Sequence, residues 1–247
     1  MQVLTERDDR FDTSNLRAQH AVLWSTPVVA LVLAVLFVAF PGFFPPMSPN
    51  MSPAELARFY DENTAAIRFG MVGFNLVGVL IVPFFVLIMG QMTRMRGQSG
   101  ILAFSYLSAI VAGVTLFALS NICFGVAAFR PERDPELIQL LDDMAWILFI
   151  APIGMLVVQF GLLALAVFLD DPQRPVFPKW VAPYSVLTGI AMAPSAAAAV
   201  SHDGPLAWDG FVSFWLRNGA FALFVVVMFF VVRTALREQA RADSGAS

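Results

Sequence analysis

Charged residues are scarce in this chain, and their scarcity argues against a soluble fold. Asp, Glu, Lys and Arg make up 13% of the 247 residues, and hydrophobic residues make up 58%. A soluble domain carries about 25% charged residues and could not bury this much apolar surface. The net charge of −3 is spread along the chain without a basic block, so the sequence offers no electrostatic surface for nucleic acid.

Cysteine, histidine and lysine are also rare. Cys123 is the only cysteine, which excludes an intramolecular disulfide and a multi-cysteine metal site. His20 and His202 fall on opposite flanks of the apolar segments, so they do not suit a haem held by two histidines. Lys179, the sole lysine, precedes a span and is too far from mid-membrane for a retinal Schiff base. With no nucleotide-binding loop and no nucleophile elbow either, we predict neither a metal nor a cofactor.

Long uncharged stretches are what the chain has instead, and they predict membrane spans. A helix needs about 20 apolar residues to cross roughly 30 Å of hydrocarbon. Five stretches are long enough, and the sixth becomes so if it begins at Phe211 and includes Arg217. We predict an all-α polytopic bundle of about six spans in one domain, 22–234, between a cytoplasmic segment, 1–21, and a disordered tail, 235–247. The predicted helices are 22–40, 66–90, 101–128, 135–169, 180–201 and 211–234.

The basic residues predict the orientation of these spans. One side of the membrane would hold Arg7, Arg10, Arg17, Arg94, Arg96, Arg174, Lys179, Arg233, Arg237 and Arg241. The other side would hold Arg58, Arg68, Arg130, Arg133 and Arg217. Because cytoplasmic loops are enriched in Lys and Arg, this bias of ten against five places both termini in the cytoplasm.

Two outer segments contain helix-start signals. Ser52-Pro53-Ala54-Glu55 is a capping box with proline at the first helical position, and it predicts a short interfacial helix over 53–60. Asp61-Glu62-Asn63 is then expected to break that helix and cap the second span. Asp134-Pro135-Glu136 predicts a helix that runs straight into the fourth span.

Prolines and small residues predict how the spans pack. Pro83, Pro152 and Pro194 lie inside spans and predict bent helices, either around a cavity or without one. The fifth span carries a small-residue stripe at a spacing of four, which favours close helix packing, including packing against a partner helix. The stripe consists of Ser185, Gly189, Ala193, Ala197 and Ser201.

Ionisable residues at the outer ends of the spans are the candidate binding residues, because a charge in hydrocarbon requires a partner. These candidates are Arg68, Arg217, Asp61, Glu62, Asp142 and Asp143. One hypothesis is an ionic cluster among the second, fourth and sixth spans that binds a polar head while the spans hold an apolar tail. The alternative is that the arginines reach the headgroups or pair with one carboxylate and only stabilise the bundle.

Polar and aromatic residues within the spans support further hypotheses. Asn75, Asn121 and Gln159 are expected to form interhelical hydrogen bonds, or else to line a pathway. The five tryptophans fall near predicted span ends, as an aromatic belt would require. They are Trp24, Trp146, Trp180, Trp208 and Trp215.

Four segments resemble a family of uncharacterised bacterial multi-pass membrane proteins that is common in actinobacteria. They are PAELARFYDENTAAIR (53–68), AFRPERDPELIQLLDDMAW (128–146), VFPKW (176–180) and GPLAWDG (204–210). The resemblance extends over most of the chain and implies the six-span architecture. The family has no established activity, so the resemblance implies no functional residues.

Together these patterns favour a protein of a bacterial inner membrane that binds a small apolar or amphipathic molecule, for example as an accessory subunit. It would work without an energy source of its own. One alternative is a lipid-modifying enzyme using the outer acids Asp61, Glu62, Asp142, Asp143 and Asp209, since a buried carboxylic acid can donate a proton to a lipid. Another is a secondary transporter using the embedded polar residues.

Overall fold

Helices account for nearly all of the secondary structure in the computed structural model, which describes residues 15–96 and 100–245. The described residues contain eight α-helices and no β-strand. The helices are α1 (Leu16–Ala39), α2 (Pro53–Gly78), α3 (Val82–Met92), α4 (Gly100–Phe129), α5 (Pro135–Ile150), α6 (Gly154–Leu169), α7 (Val181–Met192) and α8 (Arg217–Gly245).

Six helical segments are long and apolar enough to cross a membrane, which confirms the predicted all-α six-span bundle. They are Leu16–Ala39, Pro53–Met92, Gly100–Phe129, Pro135–Leu169, Val181–Ala199 and Gly204–Ala242. The second contains 40 residues. At about 1.5 Å per residue it is roughly twice as long as the hydrocarbon is thick, so it extends beyond the bilayer.

The three predicted bends are present, each beside its proline. A 3₁₀ turn, Val79–Ile81, separates α2 from α3 just before Pro83. Residues 151–153, which include Pro152, separate α5 from α6. The fifth span changes from α-helix to the 3₁₀ segment Ala193–Ala199 one residue before Pro194. Proline cannot donate the helical hydrogen bond, and this explains all three positions.

The capping box at Ser52 forms as predicted, but the short helix 53–60 does not end where expected. The Ser52 hydroxyl accepts from the Glu55 amide, and the Glu55 carboxylate accepts from the Ser52 amide at 2.9 Å. Helix α2 then continues through Asp61-Glu62-Asn63 to Gly78. The Asn63 side chain donates to the carbonyl oxygen of Phe59 in the same helix, so it does not cap a new helix.

The predicted disordered tail is also wrong for the residues that the structure describes. Helix α8 runs to Gly245, and Ala235 and Leu236, at the start of this segment, are buried against the bundle. At this end Gln91 donates to both Gln19, at 2.8 Å, and Gln239, at 3.4 Å, and so links α3 to α1 and α8. Residues 246–247, and 1–14 of the predicted N-terminal segment, lie outside the described residues.

The buried side chains form two clusters, and the one that contains Trp146 is rich in aromatic residues. Phe43 and Phe124 each contact the ring of Trp146, which is fully buried. Trp146 in turn stacks on Trp208, with ring planes inclined by 7°. The aromatic-belt prediction is therefore wrong for Trp146 and Trp208, which pack inside the protein and not at its lipid-facing surface.

The small-residue stripe packs at least partly within the chain. Ser185 is fully buried, and a Cβ atom placed on Gly189 would lie 3.7 Å from the Cβ atom of Phe160 on α6. Helices α6 and α7 are therefore in contact at Gly189. This half of the stripe is therefore not accessible to a separate partner helix.

A buried carboxylate organises the connection between α6 and α7. Asp170 is 2% exposed, and its side chain accepts hydrogen bonds from the amides of Arg96, Asp171 and Val176 at 2.7–2.9 Å. Lys179 donates to the carbonyl oxygens of Val167 and Asp170, which the end of α6 leaves unpaired. Asp170 thus joins three stretches of backbone.

Asp170→Asn is expected to lower the free energy of unfolding by about 2–3 kcal/mol. The amide nitrogen of asparagine cannot accept a hydrogen bond, and the charge that strengthens the others is lost. The measurement is the thermal unfolding midpoint in detergent. The matched control is Asp171→Asn, because Asp171 accepts one local bond, from Gln173, that asparagine can also accept. Equal midpoints for the two variants would contradict the role assigned to Asp170.

Candidate functional site

A cavity of about 470 Å³ lies within the bundle, at the level of the break between α5 and α6. Helices α1, α2, α4 and α8 complete its walls. The apolar lining side chains include Leu33, Phe37, Phe74, Ile110, Val114, Phe117, Met155, Leu156, Met192, Phe221 and Val225. Its size is within the range of about 300–1,000 Å³ that is usual for ligand pockets.

The cavity opens towards the membrane between α1 and α8. Val38 on α1 and Val226 on α8 line it, yet they are 62% and 53% exposed. Phe44, which follows α1, is also a lining residue and is 53% exposed. In a membrane-spanning bundle these surfaces face lipid, so a molecule dissolved in the bilayer could enter sideways.

One end of the cavity is polar. Of the described residues that line it, only Arg217 and Asn218 have polar side chains. Arg217 is 9% exposed, and its guanidinium lies 4.8 Å from the ring centroid of Phe149. One terminal nitrogen donates to the carbonyl oxygen of Phe149 at 2.7 Å, and the other donates to the side-chain oxygen of Asn218 at 2.9 Å.

The break at Pro152 explains why the carbonyl of Phe149 is free to accept. In an unbroken helix the amide of Ile153, four residues on, would donate to it. Here the Ile153 amide donates to Ala151 at 2.7 Å, and the helix stops at Ile150. Arg217 thus supplies the hydrogen bond that the Ile153 amide would make in an unbroken helix, as polar side chains do at broken helices in membranes.

Arg217 directly follows a rare wide turn. Residues Phe211–Leu216 form a π-helix, which precedes α8. The turn is connected to the preceding 3₁₀ segment, Gly204–Leu206, because the Ser213 hydroxyl donates to the carbonyl of Leu206 at 2.8 Å. Such π-turns are often found at functional sites.

Two polar atoms of Arg217 and Asn218 have no hydrogen-bond partner among the described residues. They are Nε of Arg217 and the side-chain nitrogen of Asn218, and both are buried. A buried donor without an acceptor costs about 1–3 kcal/mol, and more when it is charged. An acceptor that reached these donors would remove this cost.

Arg68, the other predicted binding arginine, has a different environment. It donates to the carbonyl oxygens of Ala128, at 3.0 Å, and Phe129 at the end of α4, and its guanidinium lies 5.5 Å from the Phe129 ring centroid. These carbonyls are the ones that a helix end leaves unpaired. In the described part of the chain neither Arg68 nor Arg217 pairs with a carboxylate, so the predicted ionic cluster does not form.

The predicted acids lie away from the cavity. Asp142 is 3% exposed and accepts a hydrogen bond of 2.6 Å from the hydroxyl of Tyr60, which joins α5 to α2. Asp61 and Glu62 are exposed, and Asp143 is half-buried. None of the four is among the described residues that line the cavity.

The embedded amides are separate from the cavity as well. Asn75 is exposed at the lipid-facing surface. Asn121 and Gln159 are fully buried. The amide atoms of Asn121 have no partner among the described residues, so its predicted interhelical hydrogen bond is not seen, whereas Gln159 on α6 interacts with the hydroxyl of Tyr106 on α4. Neither residue lines the cavity.

Sequence reasoning identified Arg217 but missed Asn218, the π-helix and the acceptor that Pro152 releases. The only signal for Asn218 was its position next to an arginine in an apolar run. Comparison of the chain with protein-family models, with curated proteins and with solved structures finds no match to any of them.

Proposed function

We propose that this protein binds a small amphipathic molecule in the cavity between α1 and α8. The apolar walls hold the tail of the molecule, and Arg217 and Asn218 bind its polar group. The observation that carries the proposal is the pairing of two buried, unpartnered donors with an otherwise apolar cavity that opens towards lipid. The protein would act by binding, without an energy source of its own.

The proposed location is the cytoplasmic membrane of a bacterium, with both termini in the cytoplasm. The bias of ten basic residues against five supports this orientation. The resemblance to actinobacterial membrane proteins supports the bacterial origin. In this orientation Arg217 lies towards the outer side and the apolar part of the cavity extends towards mid-membrane.

The two other hypotheses have less support. A lipid-modifying enzyme would need a carboxyl group at the cavity, and none of the described lining residues is acidic. A transporter using Asn75, Asn121 and Gln159 would need them along one path. Asn75 instead faces lipid, whereas the other two are buried away from the cavity.

Filling the cavity tests the proposal. Gly113 on α4 is a lining residue, and a Cβ atom there would lie 3.6 Å from Met155 and Leu156. Gly113→Leu is expected to reduce binding at least about tenfold, since the added side chain takes the space of the tail. The probes are palmitic acid and hexadecanol derivatives carrying a photoreactive group in the chain, and mass spectrometry locates the cross-links.

The matched control is Gly161→Leu. Gly161 lies on α6 with no atom within 4 Å of its Cβ position, so leucine there would only face lipid. It is expected to leave labelling of α1 and α8 unchanged. If the two variants label equally, or if neither probe labels cavity residues in the unmodified protein, the proposal is wrong.

A further inference from the structure

We infer that the cavity selects a single-chain amphiphile with a carboxylate head group, which is the chemistry of a long-chain fatty acid. This inference rests on the proposed function and defines its ligand. It depends on the charge and the free donors of the polar end, and on the size and direction of the apolar part.

Arg217 supplies one positive charge that no carboxylate among the described residues neutralises. Its two terminal nitrogens donate to a backbone carbonyl and to an amide oxygen, both of which are uncharged. A buried charge without a counter-ion is costly in hydrocarbon. An anionic ligand would remove this cost, whereas a neutral head group would not.

The two unpartnered nitrogens suit a carboxylate head group. Nε of Arg217 offers one N–H, and the side-chain nitrogen of Asn218 is also unpartnered. A carboxylate has two oxygens, so each donor can have an acceptor. Charge-assisted bonds of this kind are about twice as strong as neutral ones.

The charge count and the cavity size argue against phosphate lipids. Among the described lining residues Arg217 is the only cation, which balances one negative charge. A phosphate monoester carries about −1.5 to −2 at neutral pH and would remain partly unbalanced. A phospholipid diester carries one charge but brings two acyl chains, and a cavity of about 470 Å³ is near the lower end for ligand pockets.

The apolar part extends from the polar end along α8. Val225 and Val226 are lining residues eight and nine positions beyond Arg217, which corresponds to about 13 Å at the helical rise. Ile110 and Met192 lie among the apolar walls. A chain bound with its carboxylate at Arg217 would therefore point towards mid-membrane, parallel to the neighbouring lipids.

The test compares three single-chain compounds on the full-length protein in detergent. Palmitic acid, hexadecanol and lysophosphatidic acid compete with the photoreactive palmitic acid derivative. Palmitic acid is expected to compete at a concentration at least about tenfold lower than hexadecanol, which corresponds to ~1.4 kcal/mol. Equal competition by hexadecanol would overturn the inference, and stronger competition by lysophosphatidic acid would overturn the choice of carboxylate.

Variants then assign the preference to Arg217. Arg217→Gln is expected to abolish the preference for palmitic acid while hexadecanol still competes, and Asn218→Ala is expected to reduce it. Arg68→Gln is the matched control, because Arg68 is a span arginine bonded to carbonyl oxygens away from the cavity. It should retain the preference in full.

Folding is followed by size-exclusion chromatography. If Arg217→Gln aggregates, Arg217→Lys replaces it, because lysine keeps the positive charge. Arg217→Lys is expected to retain a weaker preference for palmitic acid over hexadecanol. An unchanged preference in Arg217→Gln, or in Arg217→Lys when it replaces the glutamine variant, would overturn the inference. If both probes label the cavity without a preference, the inference is wrong but the proposed function still holds. If neither probe labels the cavity, the proposed function is wrong as well.

Discussion

Replacing Tyr60 with Phe is expected to lower the free energy of unfolding by about 2–4 kcal/mol. Tyr60 and Asp142 are 0% and 3% exposed, and the Tyr60 hydroxyl is the only donor that the described residues give this carboxyl group. Phenylalanine would fill the same space but leave the buried carboxyl group without a hydrogen bond, which is costly. Thermal unfolding in detergent, followed by circular dichroism, measures the loss.

A double-mutant cycle separates the hydrogen bond from packing. Asp142→Leu alone leaves the Tyr60 hydroxyl unpaired, whereas Tyr60→Phe with Asp142→Leu removes both polar groups. We expect the double variant to be more stable than the sum of the single losses predicts. The matched control is Tyr184→Phe, because the Tyr184 side chain is only partly buried and its hydroxyl does not bond to a carboxyl group. Additive losses, or an equal loss in the control, would contradict this account.

Gly210→Ala is expected to destabilise the protein by more than about 3 kcal/mol. A Cβ atom at Gly210 would lie 2.5 Å from the carbonyl oxygens of Gly204 and Pro205 and 2.6 Å from the carbonyl carbon of Pro205. These are backbone atoms, so they cannot rotate away as a flexible side chain could. The segments on both sides of Gly210 would have to move, and such strain is costly.

The same substitution is expected to impair binding, because Gly210 directly precedes the π-helix that positions Arg217. The measurements are the thermal unfolding midpoint and labelling by the photoreactive palmitic acid derivative. The matched control is Gly219→Ala, since the Cβ position of Gly219 on α8 has no neighbour within 4 Å. Alanine should raise helix stability there by up to about 1 kcal/mol. A stable Gly210→Ala protein with full labelling would disprove the close approach.

The arginines show how far sequence reasoning could go at the candidate site. The cost of a charge in hydrocarbon singled out Arg68 and Arg217 and predicted that each would need a partner. Both have partners, but these are backbone carbonyls and an amide instead of carboxylates. Which carbonyls are free depends on where a helix ends or breaks, and which side chain reaches them depends on how the helices pack.

The break at Asp61-Glu62-Asn63 shows a different limit. Asp and Asn favour helix starts because their side chains can bond to the backbone, and this preference is weak inside a longer helix. Helix α2 is continuous through this segment, and Tyr60 and Ile67 on one of its faces are buried. Tertiary packing therefore outweighed the local signal.

The sequence by itself determined that this chain forms six apolar helices, where they bend and which arginines need partners. Those properties follow from side-chain solubility, proline geometry and the length of each apolar run, all of which are local along the chain. Only the tertiary structure decided that the break at Pro152 faces Arg217, that Asn218 joins it and that a cavity opens between α1 and α8. These features depend on contacts between residues far apart in sequence, and the apolar period of a helix does not specify which neighbour it will pack against.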